Sequence, residues 1–188
     1  RQRPAGVRAI GDGGHGDLVQ VVGGWLFAAR EPSAEVRGYD VAVTEGRVLA
    51  TGARWWTSAG GGYRDVTPAG VTGRNWKVDA DAGRFYVYRG SSFGSGQLYV
   101  GDGVAFEERT VPVSDVRAIA VHPSEPDHAF AASWGNDIHA TTDGGRTWTG
   151  LGLSGVEARS LTVDWERRQL YVGSSNTIMD RGVWTRTF

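Results

Sequence analysis

The chain has 188 residues, of which 40% are hydrophobic and 22% charged, with a formal net charge of -1 and no cysteine. That length suffices for one domain with a hydrophobic core, and the missing cysteines exclude a disulfide framework or a cysteine-based zinc site without fixing the compartment. The near-neutral balance, with no run of basic residues, offers nothing strong to nucleic acid or an anionic membrane, and no apolar run is long enough to cross a bilayer.

The counts of 29 Gly, 8 Trp, 6 Tyr and 6 Phe point to many tight turns between short strands. Arg1-Gln2-Arg3-Pro4 is neither an initiator methionine nor a signal peptide, so the chain is expected to begin after a cleavage or partway through a longer protein. Residues 11–16 (GDGGHG) are glycine-rich but lack the Lys-Ser/Thr of a phosphate loop and read as a loop. Residues 17–29 (DLVQVVGGWLFAA) read as a hairpin.

From there one strand-turn-strand sentence recurs. Residues 39–43 turn at Thr44-Glu45-Gly46 into 47–50, and 75–78 turn through 79–83 into 84–88. Residues 116–121 turn through 122–127 into 128–133, and 158–163 turn through 164–168 into 169–173. Val78, Val121 and Val163 follow one another at about 42 residues, the spacing of four-stranded propeller blades, which run roughly 40–45 residues each. The predicted fold is therefore an all-β propeller of four-stranded antiparallel blades, four to five of them in this chain. The blades are placed at 17–38 (partial), 39–73, 74–115, 116–157 and 158–188.

The first blade fits less well, because Val21 lies only about 22 residues before Val43, too few for four strands. Two arrangements follow. Either this is a five-bladed ring whose missing outer strand comes from residues 7–10 (VRAI), or it is part of a larger propeller completed by a further segment or a second chain. The short spacing favours the second.

Residues 141–148 (TTDGGRTW) read as S/T-x-D-x-G-x-T-W. This resembles the Asp-box of the BNR-repeat propellers: sialidases, sortilin-like ectodomains, xyloglucanase-like propellers and photosystem assembly factors of the Ycf48 kind. The resemblance is good over residues 116–152, fair over 74–109 and weak before Arg74. It implies a hairpin between a blade's third and fourth strands, in which Thr141, Asp143, Gly145, Thr147 and Trp148 are structural. Asp143 would accept turn N–H groups, the glycines would take positive φ, and Trp148 would bury a large surface. A reduced copy at 101–106 (GDGVAF) keeps Asp102 and replaces the tryptophan by Phe106; Asp102 precedes Asp143 by about one repeat.

The family's enzymes would need chemistry that the sequence does not assemble. No arginine triad or tyrosine nucleophile of a sialidase is recognisable. Glycosidases in general need two carboxylates flanking the scissile bond. Asp40, Asp79, Asp115 and Asp164 lie near inner strands, but the repeat position of Asp79 and Asp164 favours a residue opening a turn. His15, His122, His128 and His139 form no metal motif, so no metal and no cofactor is expected.

Trp134 in a loop and Trp165 in a turn are the best candidates for a binding face. Trp55 and Trp56 are adjacent, so in a strand they face opposite ways, one of them exposed or in a seam between blades. The preferred reading is an extracytoplasmic, non-catalytic propeller presenting a loop face to a protein or glycan, with neither nucleic acid binding nor membrane insertion. The alternative is part of a glycoside hydrolase of the Asp-box type.

Overall fold

The computed structural model describes residues 18–22, 25–29, 38–59, 62–90, 96–111, 113, 115–133, 138–152, 155, 157–175 and 181–188. Its elements are strands joined by turns. β1 (Leu18–Val22) and β2 (Trp25–Ala29) make an antiparallel pair. One four-stranded antiparallel sheet follows from β3 (Gly38–Thr44), β4 (Arg47–Gly52), β5 (Trp56–Ala59) and β6 (Gly62–Asp65). The next is β7 (Lys77–Asp81), β8 (Arg84–Arg89), β9 (Gln97–Gly101) and β10 (Phe106–Arg109). A third is β11 (Val116–Val121), β12 (Ala129–Ser133), β13 (His139–Thr141) and β14 (Thr149–Gly150). The last described sheet has β15 (Ala158–Asp164), β16 (Gln169–Ser175) and β17 (Arg181–Thr187).

Strands sit in sequence order within each sheet, and the first strands β3, β7, β11 and β15 lie side by side from one sheet to the next. This is the all-β arrangement of propeller blades, with the inner strands around an axis.

The turns explain why the hairpins close where they do. Glu45 and Gly46 (φ 47° and 74°) join β3 to β4, and Ala82 and Gly83 (φ 45° and 77°) join β7 to β8. Left-handed backbone at both central residues matches the twist of two-residue hairpins. The second turn is thus shorter than the sequence suggests. β7 runs on to Asp81, and Asp79 pairs with Tyr86 in mid-strand rather than opening a turn. Asp164, by contrast, ends β15 and accepts the Arg167 N–H at 2.9 Å as a turn cap.

Alternation along each strand divides the side chains between two neighbouring seams. On β8, Phe85 and Val87 join Leu49, Trp55, Trp76, Val78 and Tyr99 against the preceding sheet. Tyr86 and Tyr88 point the other way, to Leu98, Val100, Ile119, Val121 and Ala131. A third seam packs Phe130, Ala132 and Ile138 against Ala158, Leu170 and Val172. Trp55 is the centre of the first seam: its ring meets Trp76, Tyr99 and Phe106 edge-on at 5.1, 5.3 and 5.2 Å.

The turn at 141–148 is held by one carboxylate. Asp143 accepts the Thr147 N–H at 2.9 Å and the Thr147 hydroxyl at 2.6 Å, while Thr141 donates to it at 2.8 Å and accepts the Gly145 N–H at 2.9 Å. Gly144 and Gly145 have φ of 70° and 79°, where a side chain would be strained. Trp148 folds onto the second seam. At the reduced copy Asp102 accepts the Val104 and Ala105 N–H groups at 2.8 and 3.0 Å, and Phe106 packs on Trp55.

Two outcomes are expected. Trp55→Ala should cost about 3–5 kcal/mol, as for other buried large aromatics, and Trp56→Ala distinctly less, measured by urea denaturation. The Thr147 hydroxyl and N–H, together with Thr141, hold the Asp143 carboxyl down at about 2. A depressed native pKa means stability present above the unfolded value near 3.8 and lost as the pH falls towards 2. The stability gap between the wild type and Asp143→Asn should therefore narrow between pH 6 and pH 2.

Candidate functional site

The tryptophans proposed for binding do not come together. Trp55 is 0% exposed and belongs to the first seam, so it is core: a ring enclosed on all sides cannot stack on a ligand. Trp56, half-buried, lies in register with Ala50 on the opposite face of its sheet. Trp134 lies outside the described residues. Trp165 is half-buried, with Phe130 5.2 Å away at 25° and His122 and His128 meeting it edge-on at 4.5 and 5.1 Å. It closes the outer end of the third seam rather than standing as a free platform. Trp184 on β17, which sequence reasoning passes over, is 40% exposed.

His122, Glu125 and His128 place one ligand atom each within 4.8 Å of one another, a donor set that suits a borderline metal. Their existing roles are structural. His122 Nδ1 accepts the Ser124 and Glu125 N–H groups at 3.2 and 3.0 Å, capping the turn as Asp164 does in the next sheet. The two rings stack 5.5 Å apart at 7°, and one ion could not lie in the plane of both unless a ring turned.

Among the described residues one concave site is on the axis. A cavity of about 310 Å³ opens between three inner strands, lined by Val78 and Asp79 of β7, residues 119–121 of β11 and residues 161–163 of β15, with Tyr88 behind. Asp79 is the chemically distinctive group. Burial pushes its carboxyl up, the Ala80 and Val121 N–H groups pull it back, and the negative charges of Asp81 and Asp40 raise it again, leaving it at about 6. The Ala80 N–H donates to it at 3.0 Å.

Asp40 does the same one sheet earlier. It accepts its own neighbour's N–H from Val41 at 3.0 Å and the Val78 N–H of the following inner strand at 3.1 Å. Asp40 thus clasps its own strand to the next, and the Val121 N–H of the following inner strand bears on Asp79. Sequence reasoning misread Asp79 because it extended the turn back to residue 79. The signal that places it correctly is the Ala82-Gly83 pair, which by itself completes a hairpin turn.

One face of the sheets is further cross-linked at its turns. The Gly83 N–H donates to the Thr44 hydroxyl at 2.8 Å, the Tyr86 hydroxyl to the Pro126 carbonyl at 2.9 Å, and Arg84 pairs with Asp127 at 3.1 Å. The Gly144 N–H donates to the Asp127 carbonyl at 3.0 Å, tying the 141–148 turn into the same network.

No protein-family model matches this chain, and no curated protein matches it. Solved structures do. The computationally designed protein Ika4 aligns over 97% of this chain and 99% of its own, at 11% identity and a TM-score of 0.59. Ycf48 bound to a D1 peptide aligns over 92% of this chain and 57% of its own, at 14% identity and a TM-score of 0.58. Ycf48 from Cyanidioschyzon merolae aligns over 72% of this chain and 47% of its own, at 17% identity and a TM-score of 0.52. At these identities the likeness is one of fold, and the chain spans about half the length of the two Ycf48 chains.

Asp79 makes a testable contribution to stability. Its native pKa of about 6 lies above the unfolded value of 3.8, so the folded state holds the proton more tightly. The stabilisation is full below pH 4 and is lost as the pH rises through 6. Urea midpoints measured from pH 4 to 7.5 should show this decline in the wild type and a flatter profile in Asp79→Asn.

Proposed function

We propose that this chain is a protein-binding propeller that receives a segment of a partner polypeptide at the axial end of its inner strands and performs no chemistry on it. The observation that carries this reading is the open cavity between β7, β11 and β15, a concave site of the size at which small ligand sites begin, about 300 Å³. The fold supports it, since Ycf48, similar in fold, is known bound to a D1 peptide. Among the described lining residues Asp79 is the one carboxylate. Asp40 and Asp81 bear on Asp79 electrostatically but do not line the cavity with it, whereas glycoside hydrolysis needs two carboxylates flanking one bond, which favours binding over the hydrolase alternative.

In this reading the 141–148 turn is an Asp-box, with 101–106 a reduced copy, and both brace the sheets instead of contacting the ligand. Their acceptors are already engaged within the turns. An extracytoplasmic address belongs to the same proposal and rests on the Asp-box resemblance.

The test is selection from a displayed random-peptide library on the immobilised chain, followed by hydrogen-exchange footprinting. Enriched peptides that protect residues 119–121 and 161–163 are the expected result. Failure to enrich any peptide over a heat-denatured control would sink the proposal, and protection confined to β17 would move the site to the outer edge.

A further inference from the structure

We propose that the axial cavity accepts a cationic side chain, a lysine ammonium or an arginine guanidinium, with Asp79 as its counter-ion. This rests on the protein-binding reading above and names the chemistry of the partner.

The geometry provides the charged head of such a side chain with a place. Asp79 and Thr162 put a carboxylate and a hydroxyl on different strands lining the cavity. The surface presented to the cavity is mainly polar, because the Val78, Ile119, Leu161 and Val163 side chains are packed into the seams between sheets. Lysine and arginine carry their charge on a long flexible stem, which lets the head reach polar partners inside a cavity. A carboxylate has about four acceptor sites; the Ala80 and Val121 N–H groups use two, which leaves capacity for a donor entering from the axis.

The surrounding charge has the matching sign. The groups bearing on Asp79 are Asp40 from β3 and Asp81 on its own strand, both negative, with the Tyr88 hydroxyl of β8 close by. Tyr86, paired with Asp79 in register, is a phenol held neutral by burial. The lining segments of β11 and β15, residues 119–121 and 161–163, contain no titratable side chain. Lys77, the basic residue nearest in sequence, directs its ammonium to the Arg117 carbonyl at 2.8 Å. A cation from outside would therefore relieve a carboxylate crowded by like charge, and relief of that kind lowers its pKa.

The probes are three capped tripeptides, acetyl-Gly-X-Gly-amide, with X as lysine, arginine or norleucine. The readout is the ¹³C carboxyl resonance of Asp79 in the intact chain. The lysine or arginine peptide should shift that resonance saturably and lower its titration midpoint, and the tighter of the two identifies the head group. Norleucine, which keeps the stem and lacks the charge, should leave it unmoved. Affinity should fall about tenfold from pH 7.5 to 5.0, as a carboxyl titrating near 6 becomes protonated.

Asp79→Asn should abolish the response. Because that change also touches the strand clasp, Thr162→Val, which leaves the clasp intact, should weaken binding several-fold. Equal binding of norleucine, a flat pH profile, or shifts that map away from residues 78–79 and 161–163 would each overturn the proposal. If the library yields peptides with no preference for basic residues, the cation pocket falls and protein binding stands. If the tripeptides saturate Asp79 while the library yields nothing, the pocket stands and protein binding falls.

Discussion

The β7–β10 sheet carries apolar side chains on both of its faces and has no means of covering either by itself. The packing of the sheets follows from that constraint. Phe85 and Val87 look one way from β8, while Tyr86 and Tyr88 look the other. The β7–β10 sheet is accordingly sandwiched by its neighbours, and the hydrophobic core is divided into seams between sheets. Removing water from those faces is the dominant favourable term, at roughly 25 cal/mol per Å² of apolar area. It is non-directional, however, and cannot set the register of one sheet against the next.

Register comes from polar contacts that cross the seams. Asp40 reaches the Val78 N–H, Asp79 reaches Val121, and Thr44 accepts the Gly83 N–H. A backbone N–H on an inner strand that lacked a partner would carry the desolvation cost of a buried polar group. The carboxylates reduce that cost and are themselves half-buried in doing so. Asp79 bears the consequence: burial and two neighbouring aspartates raise its pKa, while the Ala80 and Val121 N–H groups lower it, and the residue lines the axial cavity. The same residue that aligns two sheets is thereby the group best placed to meet a ligand.

The 141–148 turn shows the opposite economy. Its carboxylate is half-buried, engaged by Thr141 and Thr147, and held well ionised. Such a group braces a hairpin and has little left to offer a partner. Prominence in the sequence and availability for chemistry are thus separate properties here. The residues that make the motif recognisable are the ones engaged internally.

Strand pairs, repeat length and the antiparallel four-stranded unit were legible in the sequence, because alternation, glycine-bearing turns and a spacing of about 42 residues are local or periodic signals. The hairpin at 141–148 was legible for the same reason: the hydrogen bonds of Thr141 and Asp143 that shape it run between residues within a few positions of one another. Which tryptophan is core was not. Trp55 and Trp56 are neighbours in sequence, and only the packing of Trp76, Tyr99 and Phe106 from the following repeat decides that Trp55 is enclosed. Asp79 was misplaced because its identity as a strand residue depends on the Ala82-Gly83 turn, and its function as a clasp depends on β11, about 40 residues further along. The sequence by itself determined the repeating unit, since the physics of hairpins acts between residues a few positions apart. Only the tertiary structure decided where charge is buried and where a cavity remains, since both depend on strands from different repeats meeting at one axis.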